Sequence, residues 1–136
     1  MAGHPKILLI DDDKDDQLFF VDALGEIAAH LGCTIANNGM EGLEYLHSPA
    51  PLPAIIFLDL NMPYMNGFEC LSAIKSDSSY TDIPVIIFTT SNNARDCEKS
   101  LQMGAATFMT KPCDFGELKE NIQHILQSHF SLDLKI

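Results

Sequence analysis

Short runs of consecutive apolar residues recur along the chain, most clearly at residues 7–10, 54–58 and 85–88. Runs that are apolar at every position are typical of strands buried on both faces of a parallel sheet. Weaker runs at residues 33–36 and 107–109 are candidates for two more strands. The pattern therefore predicts five strands, with other elements between them.

The segments between these runs have the polar and apolar spacing of amphipathic helices. In the first segment, Asp13 is a candidate N-cap and Gly32 a candidate terminator. Its apolar face is assigned to Leu18, Phe19, Val21 and Leu24. Further helices are expected at residues 40–47, after the cap-like Asn66, at residues 93–103 and after Asp114. Five βα repeats predict an α/β fold with a doubly wound parallel sheet.

The composition is that of one ordinary globular domain, with 136 residues, 46% of them hydrophobic and 20% charged. We expect a single domain over residues 1–136, with a core over about residues 6–127 and a tail at 130–136. The length leaves no room for a second, output domain. No apolar run approaches the roughly 20 residues of a membrane helix, and the N-terminus lacks a signal-peptide pattern. A cytoplasmic protein is therefore expected.

The formal net charge of −11 narrows the classes of partner. So acidic a chain repels nucleic acid and favours a metal ion or a basic protein surface. The four cysteines are scattered, with no pair at C-x-x-C spacing. This usage fits reduced, mostly buried thiols better than disulfides or a zinc site. A redox role for Cys113, beside Lys111, is the weaker alternative.

Polar residues follow four of the predicted strands. Asp11 and Asp12 come after the first, Asp59 after the third, Thr89 at the end of the fourth and Lys111 after the fifth. In a sheet of strand order 2-1-3-4-5, the carboxyl ends of these strands meet at one edge. Several carboxylates so close together need a cation, and Mg²⁺ prefers oxygen ligands. The sequence predicts a phosphoryl-transfer site in which a carboxylate is the nucleophile.

Four motifs, in this order and at these strand ends, together resemble those of a known family. They are ILLIDDD at residues 7–13, IIFLDLNMPYMNG at 55–67, PVIIFTTS at 84–91 and GAATFMTKP at 104–112. Together they make residues 6–127 resemble the receiver domain of two-component response regulators. The resemblance implies a flavodoxin-like (βα)5 fold with strand order 2-1-3-4-5. It also implies a phosphorylation-dependent signalling switch, here standing alone.

The resemblance implies a role for each group at the strand ends. Asp59 is the phospho-acceptor, and Lys111 pairs first with Asp59 and then with the phosphate. Thr89 moves its hydroxyl onto the phosphate, and Phe108 matches the aromatic position whose rotamer follows that movement. Pro112 is expected to follow a cis peptide bond.

The resemblance also implies a site for Mg²⁺ or Mn²⁺. Asp12 and Asp59 are expected to bind the metal directly, together with the backbone carbonyl of Asn61. Asp11 is expected to act through a water molecule. Gly67 is expected to allow the turn that follows the Met-Pro dipeptide.

The implied partners are proteins. A histidine kinase or a histidine phosphotransfer protein would donate the phosphoryl group, and an unidentified downstream protein would receive the signal. The T-T-S stretch at residues 89–91 is similar to that of small regulators paired with phytochrome-type or hybrid histidine kinases. The sequence is also compatible with a homodimer. Catalysis is limited to self-phosphorylation and self-dephosphorylation, so no enzymatic turnover is expected.

Residues 11–16 contain five aspartates, which leaves room for other interpretations. Asp13, Asp15 and Asp16 are interpreted as a solvated helix start, because anions are favourable at a helix N-terminus. An EF-hand loop is disfavoured because Asp16 stands at the position of the required Gly and Asp22 at that of Glu.

Two other functional classes share the predicted fold. A phosphorylation-independent adaptor is disfavoured because both Asp59 and Lys111 are present. A flavin carrier or enzyme is disfavoured because the acidic residues after the first strand would repel a flavin phosphate. The alternating tail at residues 130–136 is compatible with a short strand, a partner-binding edge or disorder.

Overall fold

The computed structural model describes residues 6–129 and contains five parallel strands in one sheet of order 2-1-3-4-5, as predicted. The predicted tail at residues 130–136 lies outside the described residues. The strands are β1 (Ile7–Ile10), β2 (Cys33–Ala36), β3 (Ile55–Leu58), β4 (Val85–Thr89) and β5 (Thr107–Thr110). The helices are α1 (Lys14–Ala28), followed by a 3-10 turn (Ala29–Leu31), α2 (Gly39–His47), α3 (Gly67–Ser76), α4 (Ala94–Gln102) and α5 (Phe115–His129).

The register of the sheet aligns the carboxyl ends of its central strands. Ile10 lies opposite Ala36 on β2 and opposite Leu58 on β3. Asp11 and Asp59 are the next residues of β1 and β3, so both leave the sheet at the same level. Every residue of β1, β3 and β4 is buried, which is why these strands are apolar until their last positions.

The helices cover both faces of the sheet. On one face, α1 and α5 pack on alternate strand residues, including Phe57 and Phe88. The ring of Phe20 from α1 lies 4.9 Å from that of Phe57 and 5.6 Å from that of Phe88, measured between centroids. On the other face, α2 and α3 cover the remaining alternate residues, among them Ile56 and Ile87. No helix among residues 6–129 is long and apolar enough to span a membrane.

The apolar face expected for α1 is only partly correct. Leu24 is buried and Phe19 is partly buried against the core, as expected, but the other two predicted residues are exposed. Leu18 is 63% exposed and Val21 is also exposed, whereas Phe20 is fully buried. The buried side of α1 is formed by Gln17, Phe20, Ala23, Leu24, Ile27 and Ala28. Residues 18–21 are all apolar, so spacing alone did not decide which of them face the sheet. Contact with the Phe57 and Phe88 rings selects Phe20.

Side-chain caps start the helices where the sequence predicts them. Asp13 accepts a hydrogen bond from the Asp16 N–H at 3.0 Å at the start of α1. At the start of α3, Asn66 and Glu69 form a reciprocal capping box, with both bonds at 2.9 Å. These bonds satisfy amide groups that have no partner within the helix, and they fix the loops from which the site residues project.

Gly67 is needed for close packing, which corrects the role expected for it in the turn. The positive φ of this loop belongs to Tyr64, at 68°, and Gly67 does not have one. A Cβ on Gly67 would lie 2.3 Å from the Asp59 carbonyl oxygen and 2.5 Å from Leu60 Cα. Contacts this short with backbone atoms require the chain to shift. Only glycine lets α3 begin so close to the end of β3.

We expect the change Gly67→Ala to lower the free energy of unfolding by about 2 kcal/mol or more, because the added methyl group overlaps the Asp59 backbone. Gly25→Ala is the matched control, since a Cβ at Gly25 in α1 meets no atom within 4 Å. It should stabilise the protein by roughly 0.5–1 kcal/mol through helix propensity. Urea denaturation followed by circular dichroism measures both. Wild-type stability in Gly67→Ala would contradict the packing argument.

Candidate functional site

The groups predicted at the strand ends come together at one edge of the sheet. Asp11 is fully buried and Asp59 is 5% exposed, while Asp12 beside them is exposed. Carboxylate oxygens of these three residues all lie within 4.8 Å of one another. The side chain of Lys111, from the loop after β5, is 8% exposed and reaches the same place. The predicted convergence of carboxylates and an ammonium group is therefore present.

Lys111 is surrounded by three carboxylates. Its Nζ lies 2.7 Å from Asp11 Oδ2, 2.7 Å from Asp16 Oδ2 and 3.3 Å from Asp59 Oδ2. It donates hydrogen bonds to Asp16 and Asp59, whereas the approach to Asp11 is a close ion pair without hydrogen-bond geometry. Burial alone would lower the pKa of Lys111, but Asp11 and Asp16 outweigh it and raise that pKa above its usual range.

Asp11 has an oxygen that suits a cation. Its Oδ1 accepts a hydrogen bond from the Asp13 N–H at 2.9 Å, but its buried Oδ2 receives none. Burial raises the pKa of Asp11 to about 6, against the opposing effects of Lys111 and the Asp13 amide. That Oδ2 faces the Lys111 ammonium at 2.7 Å. With oxygens of Asp12 and Asp59 within 4.8 Å, Asp11 belongs to an all-oxygen donor set that fits Mg²⁺ or Mn²⁺.

The structure corrects the interpretation of Asp16 as part of a solvated helix start. Its backbone amide is capped by Asp13 as expected, but its carboxylate turns to Lys111 at 2.7 Å. The two residues are 95 positions apart in the chain. Nothing local to the DDDKDD run distinguishes Asp16 from its exposed neighbour Asp15.

Gln17 and Asn37 support the acidic loop after β1, which carries Asp11–Asp13. The sequence pattern did not point to either residue. Buried Gln17 donates from Nε2 to the Asp11 carbonyl at 2.6 Å and to Asn37 Oδ1 at 2.9 Å. Asn37 follows β2 and also accepts from Lys14 Nζ at 2.6 Å. Gln17 precedes Phe20 by three positions and lies on the same buried side of α1. A correct helical phase would have identified it as a polar residue in a buried position.

The remaining predicted residues lie around this cluster. Thr89 is buried at the end of β4, and its Oγ1 accepts a long hydrogen bond of 3.4 Å from the Ser91 N–H. Asn61 donates from its backbone N–H to Asp59 Oδ1 at 3.4 Å. Phe108 is half-buried and pairs with Ile87 in the sheet, two residues before Thr89.

The cis peptide expected before Pro112 is absent: every peptide bond among the described residues is trans. The trans isomer is the intrinsically favoured one, by about 0.5–1 kcal/mol for a bond before proline. With this trans geometry, the Lys111 N–H donates to the Thr89 carbonyl at 2.7 Å and its ammonium reaches the three carboxylates.

Comparison with known proteins identifies the family. Residues 7–123 match the family model described as the response regulator receiver domain. The chain belongs to this family. Receiver domains are signalling proteins of two-component systems that bind Mg²⁺, and the Asp11, Asp12 and Asp59 group of this receiver domain fits that ion.

The receiver domain is similar to the response regulator Rcp1 of Synechocystis sp., with 30% identity over 130 residues that cover 91% of this chain and 88% of Rcp1. Its structure resembles that of the phosphorylated cyanobacterial phytochrome response regulator RcpA, with a TM-score of 0.86, 30% identity and coverage of 98% and 100% of the two chains. It also resembles the Mn²⁺-bound form of Rcp1, with a TM-score of 0.82, 27% identity and coverage of 97% and 100%.

We expect Asp11→Asn to stabilise the receiver domain when divalent cations are removed with EDTA. Because the folded-state pKa of Asp11 is raised from 3.8 to about 6, ionising it weakens folding increasingly as pH rises through this interval. The penalty is complete above about pH 6 and on the order of 2–3 kcal/mol. Urea denaturation should therefore show the variant's advantage at about pH 7.5 and a much smaller one near pH 4. An advantage independent of pH would contradict this assignment.

Proposed function

We propose that Asp59 of this receiver domain accepts a phosphoryl group from a phosphorylated histidine of a histidine kinase or a histidine phosphotransfer protein. The observation that carries the proposal is the placement of the Asp59 carboxylate. It is nearly buried, lies 3.3 Å from the Lys111 ammonium and belongs to the same acidic group as Asp11 and Asp12. An activated carboxylate next to cationic groups is the arrangement that aspartyl-phosphate chemistry needs.

The transfer forms one bond and breaks one. A carboxylate oxygen of Asp59 attacks phosphorus while the phosphorus–nitrogen bond to the donor imidazole breaks, and the imidazole leaves with the electron pair and takes a proton from solvent. Asp59 attacks as the carboxylate, and its Oδ2 lies 3.3 Å from the Lys111 ammonium. Lys111 then offers the new phosphoryl oxygens a charge-assisted hydrogen bond.

Asp12, Asp59 and the Asn61 carbonyl would hold the Mg²⁺ or Mn²⁺ ion, with Asp11 acting through water. The ion supplies neutralisation of negative charge between the carboxylates and the incoming phosphoryl oxygens. Asp11 is held for this task by its own contacts: its carbonyl accepts from Gln17, and its Oδ1 accepts from the Asp13 N–H.

Movements of Thr89 and Phe108 would follow phosphorylation and change the shape of the protein surface around α4 and β5. Among residues 6–129, the Thr89 hydroxyl has only the long contact with the Ser91 N–H, so a phosphoryl oxygen offers it a better partner. Ser91 links this point to α4, because its Oγ donates to Asp96 at 2.9 Å. Movement of Thr89 would therefore disturb the start of α4, and Phe108 would repack on the neighbouring strand.

The protein would signal through contact between proteins, with α4, β5 and α5 as the responsive surface. The name of the similar regulator RcpA, a phytochrome response regulator, supports a phytochrome-type histidine kinase as the donor. Such a kinase would meet the protein in the cytoplasm. Its catalysis would be restricted to its own phosphorylation and dephosphorylation.

Intact mass after incubation with acetyl phosphate tests the proposal. We expect one phosphoryl adduct in the wild type with Mg²⁺, none with EDTA and none in Asp59→Asn. Asp22→Asn is the matched control, because Asp22 is an exposed acid on α1 outside the acidic group, and it should be phosphorylated like the wild type. An adduct that persists in Asp59→Asn, or that forms equally well in EDTA, would contradict the assignment of Asp59.

A further inference from the structure

We propose that Asp16 is a positioning residue that competes with the phosphoryl group for Lys111 and thereby limits how tightly the phosphorylated state is held. This inference rests on the proposed function, since it assumes that Asp59 carries the phosphoryl group. It means that one residue of α1 affects the stability of the phosphorylated state.

The geometry places the Lys111 ammonium nearer to α1 than to the acceptor. Its distance to Asp16 Oδ2 is 2.7 Å, against 3.3 Å to Asp59 Oδ2. The backbone that carries Asp16 is fixed, because its N–H is bound by the Asp13 cap at 3.0 Å. Its neighbour Gln17 is anchored to the Asp11 carbonyl. The carboxylate of Asp16 is therefore presented to Lys111 from a fixed first turn.

The three carboxylates around Lys111 are not equivalent. Asp11 and Asp59 belong to the group of oxygens that fits a divalent cation, whereas Asp16 does not. A cation bound by that group would therefore not use the Asp16 carboxylate that contacts Lys111. Lys111 donates hydrogen bonds to Asp16 and Asp59, and the shorter of the two, at 2.7 Å, is the one to Asp16. To make a short, charge-assisted bond to a phosphoryl oxygen on Asp59, the ammonium must give up part of its contact with Asp16. Asp16 lies outside the cation-binding group, so a bound metal ion does not draw its carboxylate away from Lys111.

Asp15 provides a matched comparison. It has the same charge, lies in the same first turn of α1 and is exposed, but no ion pair joins it to Lys111 among the described residues. Asp15→Asn removes one negative charge near the site without changing a contact of Lys111. Asp16→Asn removes the same charge together with the contact. The difference between these two variants measures the effect of the Asp16–Lys111 contact separately from the effect of losing one negative charge near the site.

Beryllofluoride, which imitates a phosphoryl group on an aspartate, is the probe. We would titrate it in saturating Mg²⁺ and follow amide resonances in ¹H–¹⁵N spectra for the wild type, Asp16→Asn, Asp15→Asn and Asp16→Glu. We expect Asp16→Asn to bind on the order of fivefold more tightly than Asp15→Asn, the size of a charged hydrogen bond that is partly released. Asp16→Glu, which retains the carboxylate, should return towards the wild type.

A parallel Mg²⁺ titration without beryllofluoride supplies a second readout. Because Asp16 is outside the cation-binding group, Asp16→Asn and Asp15→Asn should weaken Mg²⁺ binding equally, through loss of one nearby charge. Relative to Asp15→Asn, the Asp16→Asn variant would bind Mg²⁺ no more tightly but would bind the phosphoryl mimic more tightly. A purely structural defect would weaken both.

The outcomes separate this inference from the function on which it rests. Equal or weaker beryllofluoride binding in Asp16→Asn than in Asp15→Asn, with normal binding in the wild type, would overturn the role of Asp16 alone. A wild type that shows no binding at Asp59 would overturn the proposed function and this inference with it.

Discussion

The ammonium group of Lys111 is the contact that makes this site possible. Two buried carboxylates, Asp11 and Asp59, would repel each other and suffer from the loss of water. Lys111 lies within 3.3 Å of both and of Asp16 as well. It thereby joins the loops after β1, β3 and β5 to the first turn of α1. The position of its ammonium among competing carboxylates sets both the stability of the resting site and its response to a phosphoryl group.

The sheet brings together Asp11, Asp59 and Lys111, which are far apart in the sequence. Parallel pairing places the ends of β1 and β3 at one level, and the strands are apolar until that level, so polar chemistry is confined to the edge. Beneath it, Phe20, Phe57 and Phe88 form a packed aromatic layer. The Lys111 ammonium lies 5.6 Å from the Phe88 ring centroid, within the range of a cation–π contact. The hydrophobic core therefore supports the charged site directly.

Apolar runs were sufficient to predict where the strands end, and the resemblance to receiver domains supplied the strand order. Together they predicted that Asp11, Asp12, Asp59 and Lys111 would converge. The sequence was insufficient where a side chain had several similar neighbours or a distant partner. The phase of α1 was ambiguous over residues 18–21, and this hid the buried Gln17. Asp16 could not be told from Asp15 without knowing where Lys111 lies. The need for Gly67 arises from its approach to the Asp59 backbone, a contact that no local turn pattern describes.

The stability of Lys111→Met in EDTA, measured by urea denaturation at two pH values, tests the central claim most directly. Met has a similar length without the charge, so it leaves buried carboxylates unpaired. We expect a loss of about 3 kcal/mol at about pH 7.5. The loss should shrink near pH 5, because Asp11 becomes protonated below its raised pKa. A variant as stable as the wild type at both pH values would contradict the claim that this ammonium holds the site together.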